Sequence, residues 1–211
     1  MKCFIKGIRR DSVETNAYFN LRSFNLVKEN VLRVIGDRKG LNILDVGCGT
    51  GHLTYSLAKD NYLVGIDLSL EILNFAKNKG FSTIQASGCN LPIKDNIFDL
   101  VISTNVIQLV AEGEEFVKEL VRVAKPEARI IITTLNDWSI IFKVLRIIRR
   151  KFFRNFHFYS LNDLKGMTTN IETILFLYFP FRNTKIIKGN NRIKFLDKYL
   201  PTTFIMEAKK G

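Results

Sequence analysis

The residues with the most chemical content are Leu44-Asp45-Val46-Gly47-Cys48-Gly49-Thr50-Gly51. The apolar run Leu41 to Val46 leads into them, so three glycines at alternate positions follow a predicted strand. Glycine lets the backbone and its N–H groups approach a ligand closely. The helix predicted to follow, through Leu53, Leu57 and Ala58, would turn its N-terminus toward a negative group. The spacing is G-x-G-x-G; a nicotinamide fingerprint would need a glycine where this chain has His52. Asp45, two residues before the first glycine, would sit beside a ligand at the strand's carboxyl end. A carboxylate there repels a pyrophosphate and suits an ammonium group. Asp67 closes the next strand, Val64-Gly65-Ile66-Asp67, where an acid can accept both hydroxyls of a ribose. One ligand with an amino-acid end and a ribose satisfies both acids.

The other groups able to do chemistry are fewer. The predicted fourth strand ends in Ser103-Thr104-Asn105-Val106-Ile107-Gln108. Asn105 is either a site-lining residue or a loop residue bonded locally. Gln108 is an amide and cannot act as a base near neutral pH. The two histidines are His52, after the glycine loop, and His157, in Asn155-Phe156-His157-Phe158-Tyr159-Ser160. His157 and Tyr159 either border a substrate pocket or pack among those aromatics. Cys48 and Cys89 read as small buried residues. With Cys3 they form neither a disulfide framework nor a zinc pattern, which suits reduced thiols in the cytosol.

Short strands alternate with amphipathic helices to position these groups. A helix over 12–35 carries apolar residues at Tyr18, Leu21, Phe24, Val27, Val31 and Leu32. Strands follow at Leu41–Val46, Tyr62–Ile66, Ser82–Gln85, Phe98–Ser103 and Arg129–Thr134, with helices at Ser69–Lys79 and Glu114–Ala124. Beyond residue 136 come a basic helical segment over Trp138–Arg154 and a capping box at Ser160–Asp163. A buried strand over Ile171–Tyr178 and a last strand over Thr203–Ala208 complete the order. This predicts a single α/β domain with a Rossmann-like doubly wound, mostly parallel sheet, a C-terminal antiparallel strand and helices on both faces. Its parts are the helix 12–35, a cofactor-binding core 40–135, a lid-like segment 138–166 and C-terminal strands 171–208.

The net charge of +12 is concentrated late: residues 136–211 hold 15 Lys/Arg against 5 Asp/Glu. A one-sided basic surface favours an anionic partner or merely solubilises the chain. On the segment 138–154, Ile141, Val144, Leu145, Ile148 and Phe152 fall on one helical face, and Lys143, Arg146, Arg150 and Arg154 form a second stripe. Such a helix is a lid, a contact with an anionic membrane, or plain packing with a solvated basic side.

The loop Asp45–Gly51, Asp67 and the stretch Asn90-Leu91-Pro92-Ile93-Lys94-Asp95-Asn96-Ile97-Phe98-Asp99 together resemble the class I S-adenosylmethionine-dependent methyltransferases. The resemblance is to their small-molecule, quinone-biosynthesis branch and covers about residues 40 to 135. It implies S-adenosylmethionine as cofactor, with Asp45, Gly47, Cys48, Gly49 and Gly51 at its methionine part, Asp67 at its ribose and Leu68 on its adenine. Ser87 stands where the family commonly has an acid for the adenine amino group, which shifts adenine contacts toward the backbone of Gly88 and Cys89. Asn105 joins the same cofactor site. Glu127-Ala128 replaces the paired glycines usual after Pro126, a change confined to loop geometry. The expected activity is methyl transfer to a small, hydrophobic or anionic acceptor. RNA or protein methylation through the basic third, and a non-catalytic cofactor-binding subunit, are the alternatives. The expected location is cytoplasmic, with a peripheral membrane position open.

Overall fold

A computed structural model describes residues 21–151, 153–168, 171–178, 183–188 and 203–211. Residues 12–20 of the first predicted helix, with Tyr18, as well as Cys3 and Phe152, lie outside the described residues.

Helix α1 (Leu21–Ile35) turns Val27, Val31 and Ile35 into the core, as their i, i+4, i+8 spacing requires. The strands are β1 (Asn42–Val46), β2 (Tyr62–Asp67), β3 (Ser82–Gln85), β4 (Phe98–Thr104) and β5 (Ala124–Leu135). Helices α2 (Leu70–Lys77) and α3 (Gly113–Val123) connect them, and Ser69 caps α2 by accepting from the Ile72 N–H. Then come α4 (Ile140–Ile148), α5 (Leu161–Met167), β6 (Ile171–Tyr178), β7 (Asn183–Lys188) and β8 (Thr203–Lys209). The described strands form one eight-stranded sheet in the order β3-β2-β1-β4-β5-β8-β6-β7. Strands β1 to β5 are parallel, and β8 inserts antiparallel between β5 and β6. The predicted Rossmann-like sheet with a C-terminal antiparallel strand is the fold observed; β7 is an addition to the predicted order.

The sheet's two faces bury separate cores. Ile43, Leu63, Leu100, Ile102, Ile131 and Ile205 pack under α1 and α2. Leu44, Val46, Val101, Ile130, Ile132 and Met206 pack with Phe116, Val117 and Leu120 of α3 and Leu164 of α5. This is the period-2 alternation of strands covered on both sides. Arg129 of β5 is ion-paired with Glu207 of β8 and donates to the carbonyls of Val34 and Ile35, fastening the end of α1 to the sheet.

Two predicted helices are shorter than expected. The chain after the glycine loop is a series of turns ending in a single 3-10 stretch, Tyr55–Lys59, so no α-helix opens there. An α-helix would need the Thr50 and His52 carbonyls for its own N–H groups. Here those carbonyls accept from the Lys79 and Lys28 ammoniums, at 2.9 and 2.8 Å. The basic segment is helical only over α4, and turns begin at Arg149. There Phe153 folds back edge-on against Phe142, centroids 5.1 Å apart, and packs with Phe156 and Phe158 in a small separate core.

Candidate functional site

The loop Gly47–Gly51 crosses the carboxyl end of β1, and all three of its glycines have positive φ, between 55° and 76°. Its neighbours demand glycine as well. A Cβ on Gly47 would lie 2.2 Å from Val106 Cγ2, and one on Gly51 would lie 2.4 Å from the Phe81 ring. Gly47→Ala therefore abolishes cofactor binding in calorimetry and lowers the melting temperature, because φ and contact are violated together.

Four of the loop's five N–H groups are paired within the protein. Gly47 and Cys48 both donate to the Ile66 carbonyl, Gly49 donates to Asp67, and Gly51 donates to the Cys48 carbonyl. These four N–H groups are turned onto the protein's own acceptors. What the glycines supply is close approach of bare backbone, and the absent helix N-terminus removes the other feature a pyrophosphate would use.

Asp45 is 1% exposed. Its Oδ2 accepts from the Thr54 hydroxyl at 2.6 Å, while its Oδ1 is buried without a hydrogen-bond partner among the described residues. Burial pushes its carboxyl up to about 7; the Thr54 bond opposes this and the Asp67 charge adds to it. An orphaned, buried acid oxygen is costly on its own, and a cationic donor would satisfy it. Asp67 ends β2 half-buried, accepting from the Gly49 N–H on Oδ2 and from the Ser69 N–H on Oδ1, each at 3.0 Å. Each oxygen keeps a lone pair for a further donor. Leu68 beside it is an exposed apolar side chain able to cover a flat ring. Asp45, the bare loop, Asp67 and Leu68 thus lie together at the carboxyl ends of β1 and β2.

The third wall is the segment after β3. The Ser87 hydroxyl accepts from the Cys89 N–H at 3.2 Å, so it is turned onto its own chain. Gly88 sits where a Cβ would strike Phe116 at 2.4 Å, and the Cys89 thiol is buried and donates to the Glu112 carbonyl at 3.9 Å. Glu119 of α3 accepts from the Leu91 N–H, and Arg122 donates to the Leu91 and Ile93 carbonyls, holding this wall to the helix. The Cys48 thiol is also buried, and its pKa is driven up by burial, then by the Asp45 and Asp67 charges, which disarms it as a nucleophile.

Asn105 is drawn away from the loop. It has positive φ and donates its N–H to Thr133 of β5, while its Oδ1 receives the Thr133 hydroxyl at 3.4 Å. The neighbouring Val106 touches the glycine loop instead. Gln108 is buried with its Oε1 on the Thr134 hydroxyl at 3.0 Å, and its Nε2 has no partner among the described residues. Tyr159 spends its hydroxyl on the Val110 carbonyl at 2.9 Å, and the His157 side chain is exposed. His52 is exposed beside Phe24 and Tyr55, its pKa lowered by partial burial and by Lys28 and Lys79. Thr54 and Val106 escaped the sequence reading, because contact with Asp45 and Gly47 exists only once β4 and the turns close over the loop.

Residues 44–132 match the model of a methyltransferase domain. The chain is 33% identical to a malonyl-[acyl-carrier protein] O-methyltransferase of Buchnera aphidicola, over 71% of its own length and 62% of the relative's. It is 32% identical to the mitochondrial ubiquinone biosynthesis O-methyltransferase of Bos taurus, over 64% of its length and 43% of that protein's. The chain therefore spans less than two thirds of either relative. A SAM-dependent methyltransferase from Thermotoga maritima superposes with a TM-score of 0.73 at 18% identity, covering 94% of this chain and 95% of that one, a likeness of fold. In its domain match, its relatives and its fold, the chain is similar to the class I S-adenosylmethionine-dependent methyltransferases.

Proposed function

We propose that this chain methylates a small, hydrophobic or anionic acceptor by in-line displacement. The observation carrying the proposal is the buried, unpartnered Oδ1 of Asp45, which would receive the ammonium of the cofactor's methionine end. Asp67 would hold the ribose and Leu68 the adenine, while Gly88 and Cys89 would border the ring. S-adenosylmethionine supplies an electrophilic methyl on sulfur, so the protein has only to align an acceptor and exclude water. The edge past β4 and β5 suits such alignment, because Gln108 offers an amide N–H, which orients an oxygen without taking a proton. An acceptor already nucleophilic near neutral pH fits that arrangement. Relatives named for a malonyl-acyl carrier protein and for ubiquinone biosynthesis support an acidic or hydrophobic acceptor.

Incubation with S-adenosylmethionine labelled in its methyl group and with fractionated cell extract tests the proposal. Label is expected in the small-molecule or lipid fraction. Label confined to RNA or protein overturns the acceptor class. Binding of the cofactor with no transfer to any fraction overturns the enzymatic reading.

A further inference from the structure

Helix α4 does not sit as its sequence pattern suggests. Phe142 is its buried residue, with Ile141, Leu145 and Arg146 partly covered. Val144 and Ile148, read from the sequence onto one apolar face with Ile141 and Leu145, stand 50% and 73% exposed, and Ile140 and Ile147 are exposed by 54% and 78%. At 100° per residue, Ile147, Ile140, Val144 and Ile148 occupy an arc of about 100°. Four large aliphatics on one short helix face form a contiguous apolar stripe, a costly feature to leave against water.

Cations surround the stripe. Lys143 borders it on the helix, and Arg149, Arg150, Lys151 and Arg154 follow in the turns, all exposed and without an ion-pair partner among the described residues. Arg146 is different: it pairs with Asp137 at 2.7 Å and lies over the Phe158 ring at 3.7 Å, pinning the helix to the body. No acid occurs between residues 138 and 162. Helix α4 begins five residues after β5 ends, so it lies at the sheet edge that holds the glycine loop. No helix among the described residues is long and apolar enough to cross a membrane.

We infer that α4 and the turns after it seat this protein on an anionic lipid bilayer. The four aliphatics enter the headgroup–acyl boundary and the five free cations meet lipid phosphates. Both features are required: a nucleic acid would use the cations and leave the aliphatic stripe wet, whereas a bilayer surface satisfies the two together. The attachment stands on α4 alone; that it brings a lipid-borne acceptor to the crevice rests on the methyl-transfer reading.

Sedimentation of the 211-residue protein with vesicles of phosphatidylglycerol and phosphatidylcholine in equal parts tests the inference. Binding is expected, weakening at raised salt and at least about tenfold weaker to phosphatidylcholine alone. Arg149→Ala with Arg150→Ala lowers partitioning at least about tenfold, and Ile147→Asp with Ile148→Asp lowers it by as much or more. These positions are exposed, so both variants keep the parent's melting temperature and its affinity for S-adenosylhomocysteine. Absence of binding to the mixed vesicles overturns the inference, as does binding that Ile147→Asp with Ile148→Asp leaves unchanged, the behaviour of a generic polyanion site. A parent chain that binds vesicles but not S-adenosylhomocysteine sinks the methyl-transfer reading and leaves the attachment standing.

Discussion

Asp67→Ala lowers the affinity for S-adenosylhomocysteine by about 100-fold or more in calorimetry while the protein stays folded. Two effects add. The variant loses the charged acceptor for the sugar hydroxyls, where each hydrogen bond to an ion contributes about 1.5–3 kcal/mol. It also frees the Gly49 N–H, which Asp67 holds at 3.0 Å, so the loop must be ordered at the moment of binding. Folding survives because Asp67 is only half-buried and water can solvate the Gly49 and Ser69 N–H groups. Asp67→Asn keeps one acceptor and loses the charge, so its affinity falls between the two. An unchanged affinity in Asp67→Ala would contradict the ribose assignment.

Asp45→Asn separates stability from binding in opposite directions. Burial raises the Asp45 carboxyl to about 7 in the folded chain, against 3.8 for the exposed group. The folded state then binds a proton that the unfolded state has released, so this group's contribution to stability falls as pH rises from about 4 to about 7. At pH 8 the folded protein carries a buried charge at a cost of up to about 4 kcal/mol. Asparagine keeps an oxygen for Thr54 and removes that cost. The variant should melt about 5–10 °C higher than the parent at pH 8, an advantage that shrinks by pH 5.

Cofactor binding should respond the other way. An ammonium pairs with the ionised carboxylate, about a tenth of the population at pH 6 and three quarters at pH 7.5, so the parent's affinity rises about eightfold across that range. In Asp45→Asn the affinity is at least about tenfold lower and this pH slope is gone. A slope that persists in the variant would assign the titration to another group.

Much of this architecture was legible because it is written in local periodicity. The runs at Asn42–Val46, Tyr62–Asp67 and Phe98–Thr104 are short and apolar, and glycines or polar turns bound them. The Ser160–Asp163 capping box is a four-residue device that needs no distant partner. The segment Thr54–Lys59 misleads because its apolar spacing is helical, while the chain turns there through a 3-10 stretch beside carbonyls bonded to Lys79 and Lys28, remote in sequence. In the basic helix, periodicity groups Ile141, Val144, Leu145 and Ile148 on one side and cannot say which residues face inward, and the structure divides them. Phe142 is drawn in by Leu135, Phe153 and Phe158, and the aliphatics opposite are left outside. Ser87 and Asn105 are candidates only by their position in the order of elements; their hydroxyl and amide are turned onto Cys89 and Thr133.

By itself, the amino-acid order determined the Rossmann-like class, the bare glycine turn after β1 and the two acids flanking it. Strand runs, glycine conformations and carboxyl groups are properties of residues and their near neighbours. Tertiary structure alone decided that Asp45 is sealed from water with one oxygen unpaired, that four of the loop's five N–H groups are consumed within the protein, and that α4 shows its aliphatics to solvent. Those outcomes depend on which distant groups arrive at each polar atom and each apolar face, and a buried charge or an exposed stripe has no local signature.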